Sequence, residues 1–211
     1  MALTEREIRK LRTQCDKLED GPDYQINDYV SNLMSTVLDF QMQVVTVVSA
    51  EEYYKNNHCY RTHEELQAFV DLFDNTREGN LKLANTMWNN NHWTRAKFLR
   101  MLLAEFKCRD ITDQQSLKTW ISEADFETEI KGQFRTEEHS IGPALFQWLR
   151  LRLGVDTVKA DVHIIRFVAN AVDRGVSQQE AFEALLIVAE RTNRRASLLD
   201  AAIWHYQKEN A

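Results

Sequence analysis

Two segments of the chain combine residue types and spacings that could do chemistry: Ser140–Gly154 (SIGPALFQWLRLRLG) and Ala160–Val168 (ADVHIIRFV). In the first, Ile141-Gly142 reads as a tight turn before a helix that begins at Pro143. Glycine there permits a left-handed backbone and lets a second molecule come close. The free N–H groups at the start of the new helix would face outward and could hold one phosphate. From these residues alone, an αα-hairpin that binds nothing is the plainer reading. Asp161 in the second segment divides the same way. As a helix N-cap it would accept backbone N–H groups, a role that alone accounts for an aspartate. Beside the partial positive charge of a helix start, its carboxylate could also stabilise a developing cation or orient a water.

Helices must hold both segments, and the sequence supplies their punctuation. Thr4 with Glu7 forms a capping box that opens a helix through about Leu18, broken by Glu19-Asp-Gly-Pro-Asp23. Val30, Leu33, Met34, Val37, Leu38, Met42 and Val45 follow a 3.6-residue period, which predicts one long helix over Tyr29–Asn56. Further helices are predicted over Leu66–Phe73, Gly79–Trp88 and Thr94–Phe106, with shorter ones over Leu117–Ser122 and Asp125–Phe134. Pro143 suits a first helical turn and Gly154 the position just past its end. Asp161 then opens a helix to Arg174, closed by Gly175. Ser177 with Glu180 opens another to about Arg191, and Leu198–Gln207 forms the last.

Composition agrees with a helical, water-soluble chain. Only 6 glycines and 2 prolines in 211 residues argue against a turn-rich all-β fold. No run approaches the roughly 18 apolar residues of a membrane span, and Met1–Lys10 has no signal-peptide hydrophobic region. Cys15, Cys59 and Cys108 are odd in number and far apart, so three reduced thiols are expected rather than a disulfide framework. The expected location is cytoplasmic (nucleoid-associated in a bacterium) or nuclear, not secreted. The net charge of −6 disfavours tight non-specific binding to DNA. The acidic excess lies upstream of Thr136, however. Arg150, Arg152, Lys159, Arg166, Arg191, Arg194 and Arg195 could still form a basic face.

Together the two segments resemble the helix-hairpin-helix DNA glycosylase superfamily, which includes endonuclease III-like and alkyladenine glycosylases. The family's Leu-Pro-Gly-Val-Gly hairpin aligns on His139-Ser140-Ile141-Gly142, and its Val-Asp-Thr-His-Val-x-Arg-Val segment on Ala160–Phe167. Asp161 follows Gly142 by 19 residues, a spacing that suits the family. Upstream, Ser35–Gln41 looks like the family's apolar helix ending in Ser-x-Gln, and Trp93-Thr-Arg-Ala-Lys97 is similar to its helix start rich in small and basic residues. The resemblance extends over most of Asp28–Val172.

It implies an all-α fold of two helical subdomains with a cleft between them. Residues 28–154 would form an internal bundle ending in the helix-hairpin-helix; residues 1–27 with 155–211 would form the second subdomain. Backbone groups around Ile141, Gly142 and Ala144 would grip a phosphate, with room for a monovalent cation at the turn. Arg150 and Lys159 would contact double-stranded DNA carrying a damaged base, and Gln41 would fill the hole left when that base is flipped out. Asp161 would be the catalytic carboxylate, and Asp39, Phe40, Trp93 and Trp204 would line the base pocket.

Three departures refine the expectation. Bifunctional relatives carry a lysine nucleophile where this chain has Ala144, so a monofunctional, water-using enzyme without AP-lyase activity is expected. His139-Ser140 replaces the hairpin's Pro-Gly. No cysteine follows Cys108, so no iron–sulfur cluster is expected. Nor is any metal, since His58, Cys59 and His63 lack a fourth ligand and zinc-like spacing. The leading expectation is a monomeric base-excision-repair glycosylase. The alternative is a non-catalytic DNA-binding or lesion-scanning protein of the same fold, and a helical interaction protein without nucleic acid comes third.

Overall fold

A computed structural model of the chain describes residues 2–39, 43–58 and 60–210. Among them the regular structure is helical, without a strand; a single antiparallel bridge joins Arg135 and Ser140. The all-α expectation holds. The chain divides into two compact units, Ile26–Leu149 and Met1–Gln25 with Arg150–Ala211. No helix among the described residues is long and apolar enough to cross a membrane.

The Met1–Gln25 and Arg150–Ala211 unit contains α1 (Glu5–Cys15), the end of α8 (Pro143–Arg152), α9 (Val162–Val172), α10 (Gln178–Thr192) and α11 (Ala196–Glu209). Helix α9 packs against α1, α10 and α11. Leu11 of α1, Val168 of α9, Leu185 and Val188 of α10, and Leu199 and Ile203 of α11 are sealed from solvent in one core. Burying each side chain of this kind contributes about 1.5–3 kcal/mol before the entropy of ordering it is counted. Both capping boxes form as the sequence predicts, Thr4 with Glu7 and Ser177 with Glu180. Arg174 joins them, its Nε 2.7 Å from Glu7 and its Nη1 3.1 Å from Glu180. Gly154 takes the left-handed position past α8, with φ +82°. Helix α9, by contrast, closes on Asp173 at φ 60°, not on Gly175. Aspartate tolerates that conformation, so the stop comes two residues early.

The Ile26–Leu149 unit contains α2 (Tyr29–Leu38), α3 (Val44–Asn57), α4 (His63–Val70), α5 (Arg77–Trp88), α6 (Trp93–Cys108), α7 (Gln114–Glu123), a π-helical turn (Phe126–Ile130) and most of α8. Helix α6 is its axis. It packs against α2, α4 and α5 and buries Phe98, Leu99, Leu102, Leu103 and Phe106. Phe106, Trp120 and Phe134 form an aromatic triangle with centroids 5.4–5.7 Å apart.

The long helix predicted over Tyr29–Asn56 is two helices. Val30, Leu33, Met34, Val37 and Leu38 are buried as the period predicts, but Val45 is exposed, and α2 ends at Leu38 while α3 starts at Val44. The cause is distant in sequence. Buried Arg95 of α6 donates from Nη1 to the carbonyls of Val37 (2.7 Å) and Leu38 (3.2 Å). Those last-turn carbonyls thereby gain the donors that a continuing helix would otherwise have supplied.

Candidate functional site

Asp161 is the N-cap of α9: its Oδ1 accepts the N–H groups of His163 (2.9 Å) and Ile164 (3.3 Å). Its Oδ2 lies 4.0 Å from Lys159 Nζ, and the two side chains retain 18% and 21% of their exposure. The carboxylate is therefore anchored by one oxygen and within reach of solvent. The linker leading to it, residues 155–161, is tied down at several points. Asp156 Oδ1 accepts the N–H of Ser197 at 2.9 Å, Gln178 Nε2 donates to the carbonyl of Ala160 at 2.9 Å, and Lys159 N–H donates to Asp200 Oδ1 at 2.8 Å. Asp161 N–H closes a tight turn on the Lys159 carbonyl at 2.7 Å.

Asp200 has no motif in the sequence to mark it. It sits in α11 between Leu199 and Ala201 and is 3% exposed. Burial pushes its carboxyl up to about 7; the Lys159 N–H opposes the rise and nearby Asp161 adds to it. Burial likewise raises the Tyr24 hydroxyl, with Asp200 and Asp161 contributing. The only sequence signal was a lone acidic residue within an apolar run. Trp204, one turn along α11, meets the His163 ring edge-to-face at 6.1 Å and has Lys208 Nζ 5.1 Å from its ring centre. The buried Nδ1 of His163 has no hydrogen-bond partner among the described residues. Lys159, Asp161, His163 and Trp204 thus lie in one neighbourhood. Together they offer an anchored carboxylate, an ammonium, an imidazole and an indole.

The turn before α8 belongs to the other unit. Thr136 N–H donates to the His139 carbonyl at 2.7 Å and Ile141 N–H to the Phe134 carbonyl at 3.0 Å. His139 Nε2 lies 2.8 Å from Thr94 Oγ1, and Lys97 Nζ reaches Glu137 (3.1 Å) and Glu138 (3.2 Å), so the turn is fastened to α6. Ile141 is buried and its N–H is already engaged. Gly142 does not adopt the left-handed backbone expected of it; the positive-φ glycines are Gly132 and Gly154. The reversal takes place within residues 135–140, which leaves Gly142 to accept the first α8 bond, from Phe146 N–H at 2.9 Å. A Cβ at Gly142 would meet nothing within 4 Å, so the space beside it is open. Ala144 lies in the first turn of α8, where its N–H has no intrahelical acceptor. An open groove of about 790 Å³ runs along α6 beside this turn, lined by Lys97, Arg100, Met101 and Arg135.

The remaining expected residues are dispersed. Phe40 and Gln41 lie outside the described residues. Asp39 caps the end of α2 beside the Arg95 guanidinium, whose own pKa burial lowers to about 10. Trp93 has Arg77 5.4 Å and Lys97 6.0 Å from its ring centre. Asp39 and Trp93 belong to the Ile26–Leu149 unit, Asp161 and Trp204 to the other. The basic face does not form as expected. Arg152 is fully buried and Arg150 is half-buried, its pKa lowered by burial. Arg191 pairs with Glu5 (2.7 Å), Arg194 with Asp20 (2.6 Å) and Arg195 with Asp23 (3.1 Å). Acidic residues of the N-terminal segment thus neutralise the C-terminal arginines. Arg166 stays exposed on α9 with no ion-pair partner among the described residues. His58 Nε2 is 2.8 Å from the Thr86 carbonyl and His63 Nδ1 is 2.8 Å from the Tyr29 hydroxyl; Cys59 lies outside the described residues. Among the described residues no group of three or more His, Cys, Asp or Glu side chains could hold a metal ion.

A family model, Domain of unknown function (DUF8548), matches residues 29–208. No curated protein and no solved structure matches the chain.

Proposed function

The chain belongs to the family described as Domain of unknown function (DUF8548), and for it we propose a monofunctional DNA glycosylase that hydrolyses the N-glycosidic bond of a damaged or mismatched base. The observation that carries this reading is the setting of Asp161. One oxygen is held by two backbone N–H groups, and the other stands in a partly open site beside Lys159, His163 and Trp204. In the proposed reaction the base, flipped out of the duplex, leaves with the electron pair of the glycosidic bond. Asp161 stabilises the oxocarbenium-like charge left on the sugar and guides water to it. Ala144 offers no amine for a Schiff base, so the product is an intact abasic strand. The turn before α8 serves as the hairpin of a helix-hairpin-helix, with the Ala144 N–H and the open space at Gly142 available to a phosphate. Lys159, 4.0 Å from Asp161, supplies a positive charge for a phosphate flanking the flipped nucleotide.

Single-turnover excision on duplex oligonucleotides, each carrying one lesion from a broad panel, tests the reading. Products are scored with and without alkali, with Asp161→Asn run in parallel. Strand breaks that need alkali and vanish in the variant are the expected result; breaks without alkali would refute the monofunctional claim. The pairing of Arg191, Arg194 and Arg195 removes positive charge from the expected basic face and so favours another reading, a helical interaction protein without nucleic acid. No duplex binding even at low salt would select it, whereas binding without excision across the panel would select a non-catalytic DNA-binding protein of the same fold.

A further inference from the structure

Asp200 is a buried carboxyl in an apolar stretch of α11, an expensive placement unless its oxygens are put to use. Its Oδ1 accepts the Lys159 N–H at 2.8 Å, and the carbonyl of the same residue accepts the Asp161 N–H at 2.7 Å. A single residue, Lys159, thus links the buried carboxyl to the backbone of Asp161. Two other bonds hold the linker, one before the turn and one within it. Asp156 Oδ1 accepts the Ser197 N–H from the start of α11, and Gln178 Nε2 of α10 holds the Ala160 carbonyl. Asp200 and Gln178 both bond within the tight turn that delivers Asp161, and of the two Asp200 carries the carboxyl and holds the N–H of the turn's first residue. We propose that Asp200 is the positioning residue for Asp161, fixing the Lys159–Asp161 turn so that Asp161 Oδ2 faces its substrate. The functional half of this rests on the glycosylase reading, which names Asp161 as the reacting carboxylate.

The titratable and charged groups that face Asp200 are Lys159 and Asp161 on the linker and Tyr24 on the N-terminal segment; Gln178 of α10 is neutral. Asp200 changes charge near pH 7. Its ionised form is the stronger acceptor for the Lys159 N–H. The turn is therefore held more firmly above that pH than below it.

Two measurements on the full chain test the proposal. In amide NMR, the Lys159 resonance of the wild type should titrate with a midpoint near 7, and Asp200→Asn should abolish that titration. Asp200→Ala should shift the amides of Lys159, Asp161, His163 and Ile164 and leave those of α10 in place. Asn, which keeps an oxygen for Lys159, should restore them. In single-turnover excision, Asp200→Ala should lower the rate constant about 10- to 100-fold at unchanged duplex affinity, and Asn should recover most of it. The wild-type pH profile should carry an inflection near 7 that Asn removes. Unaltered Asp161, His163 and Ile164 amides in a folded Ala variant, or wild-type excision by it, would overturn the proposal. If the wild type excises nothing, the glycosylase reading falls, and the amide shifts alone decide whether Asp200 positions Asp161.

Discussion

Replacing Asp200 by Asn should stabilise the protein, and by an amount that depends on pH. The unfolded carboxyl ionises near 3.8 and the folded one near 7. Between those values the folded state holds a proton that the unfolded state has released. The group's contribution to stability therefore falls as pH rises through that window and stays at its lowest above it. At about 1.4 kcal/mol per pH unit, the full penalty above pH 7 is about 4 kcal/mol, and at pH 5 about 1.6 kcal/mol has already accrued. Asn has no charge to neutralise and keeps an acceptor for the Lys159 N–H. Any cost of its extra N–H group does not vary with pH over this range. The stability difference between Asp200→Asn and the wild type should thus move in favour of the variant by roughly 2–3 kcal/mol between pH 5 and pH 8. Urea denaturation of both proteins at pH 5, 6, 7 and 8 reads this as a widening gap between midpoints at constant m. A gap that stays flat across the series would refute the reasoning, because it would mean that Asp200 ionises alike in both states.

Other outcomes follow from the contacts already described. Arg95→Met removes the donors to the Val37 and Leu38 carbonyls and should lower stability by about 1–3 kcal/mol, read by thermal denaturation. Glu5→Gln frees Arg191 from its ion pair and should steepen the salt dependence of duplex binding by about one unit of slope. Exposed Cys108 should react with iodoacetamide at pH 8 in the native protein. Cys15, whose buried thiol is pushed up to about 12, should stay unlabelled until denaturant is added, with mass spectrometry distinguishing the two.

What the sequence made legible was local chemistry. Thr4 with Glu7, Ser177 with Glu180, the Asp161 cap and the Gly154 stop are written within a few residues of where they act, and each is found in place. The helical break after Leu38 was hidden because its cause, Arg95, lies on another helix. The basic face dissolved for the same kind of reason: Arg191, Arg194 and Arg195 find their acids near the other end of the chain. Asp200 was overlooked because an acidic residue in a helix is ordinarily solvated, and only packing shows that this one is enclosed. For Asp161 itself, the capping role is visible in the geometry. The catalytic role proposed for it is carried by the resemblance and by the open side of its carboxylate.

The way α1 is used has a consequence for biosynthesis. Its apolar face, Ile8, Leu11 and Cys15, is completed by residues of α9, α10 and α11, more than 140 positions downstream. The Ile26–Leu149 unit is contiguous and can condense as soon as it clears the ribosome. Until α9–α11 are made, α1 is an amphipathic helix of 11 residues with nothing to cover it, too short to persist alone in water. The neighbourhood of Asp161 therefore assembles after that unit, in a step that joins segments more than 140 residues apart.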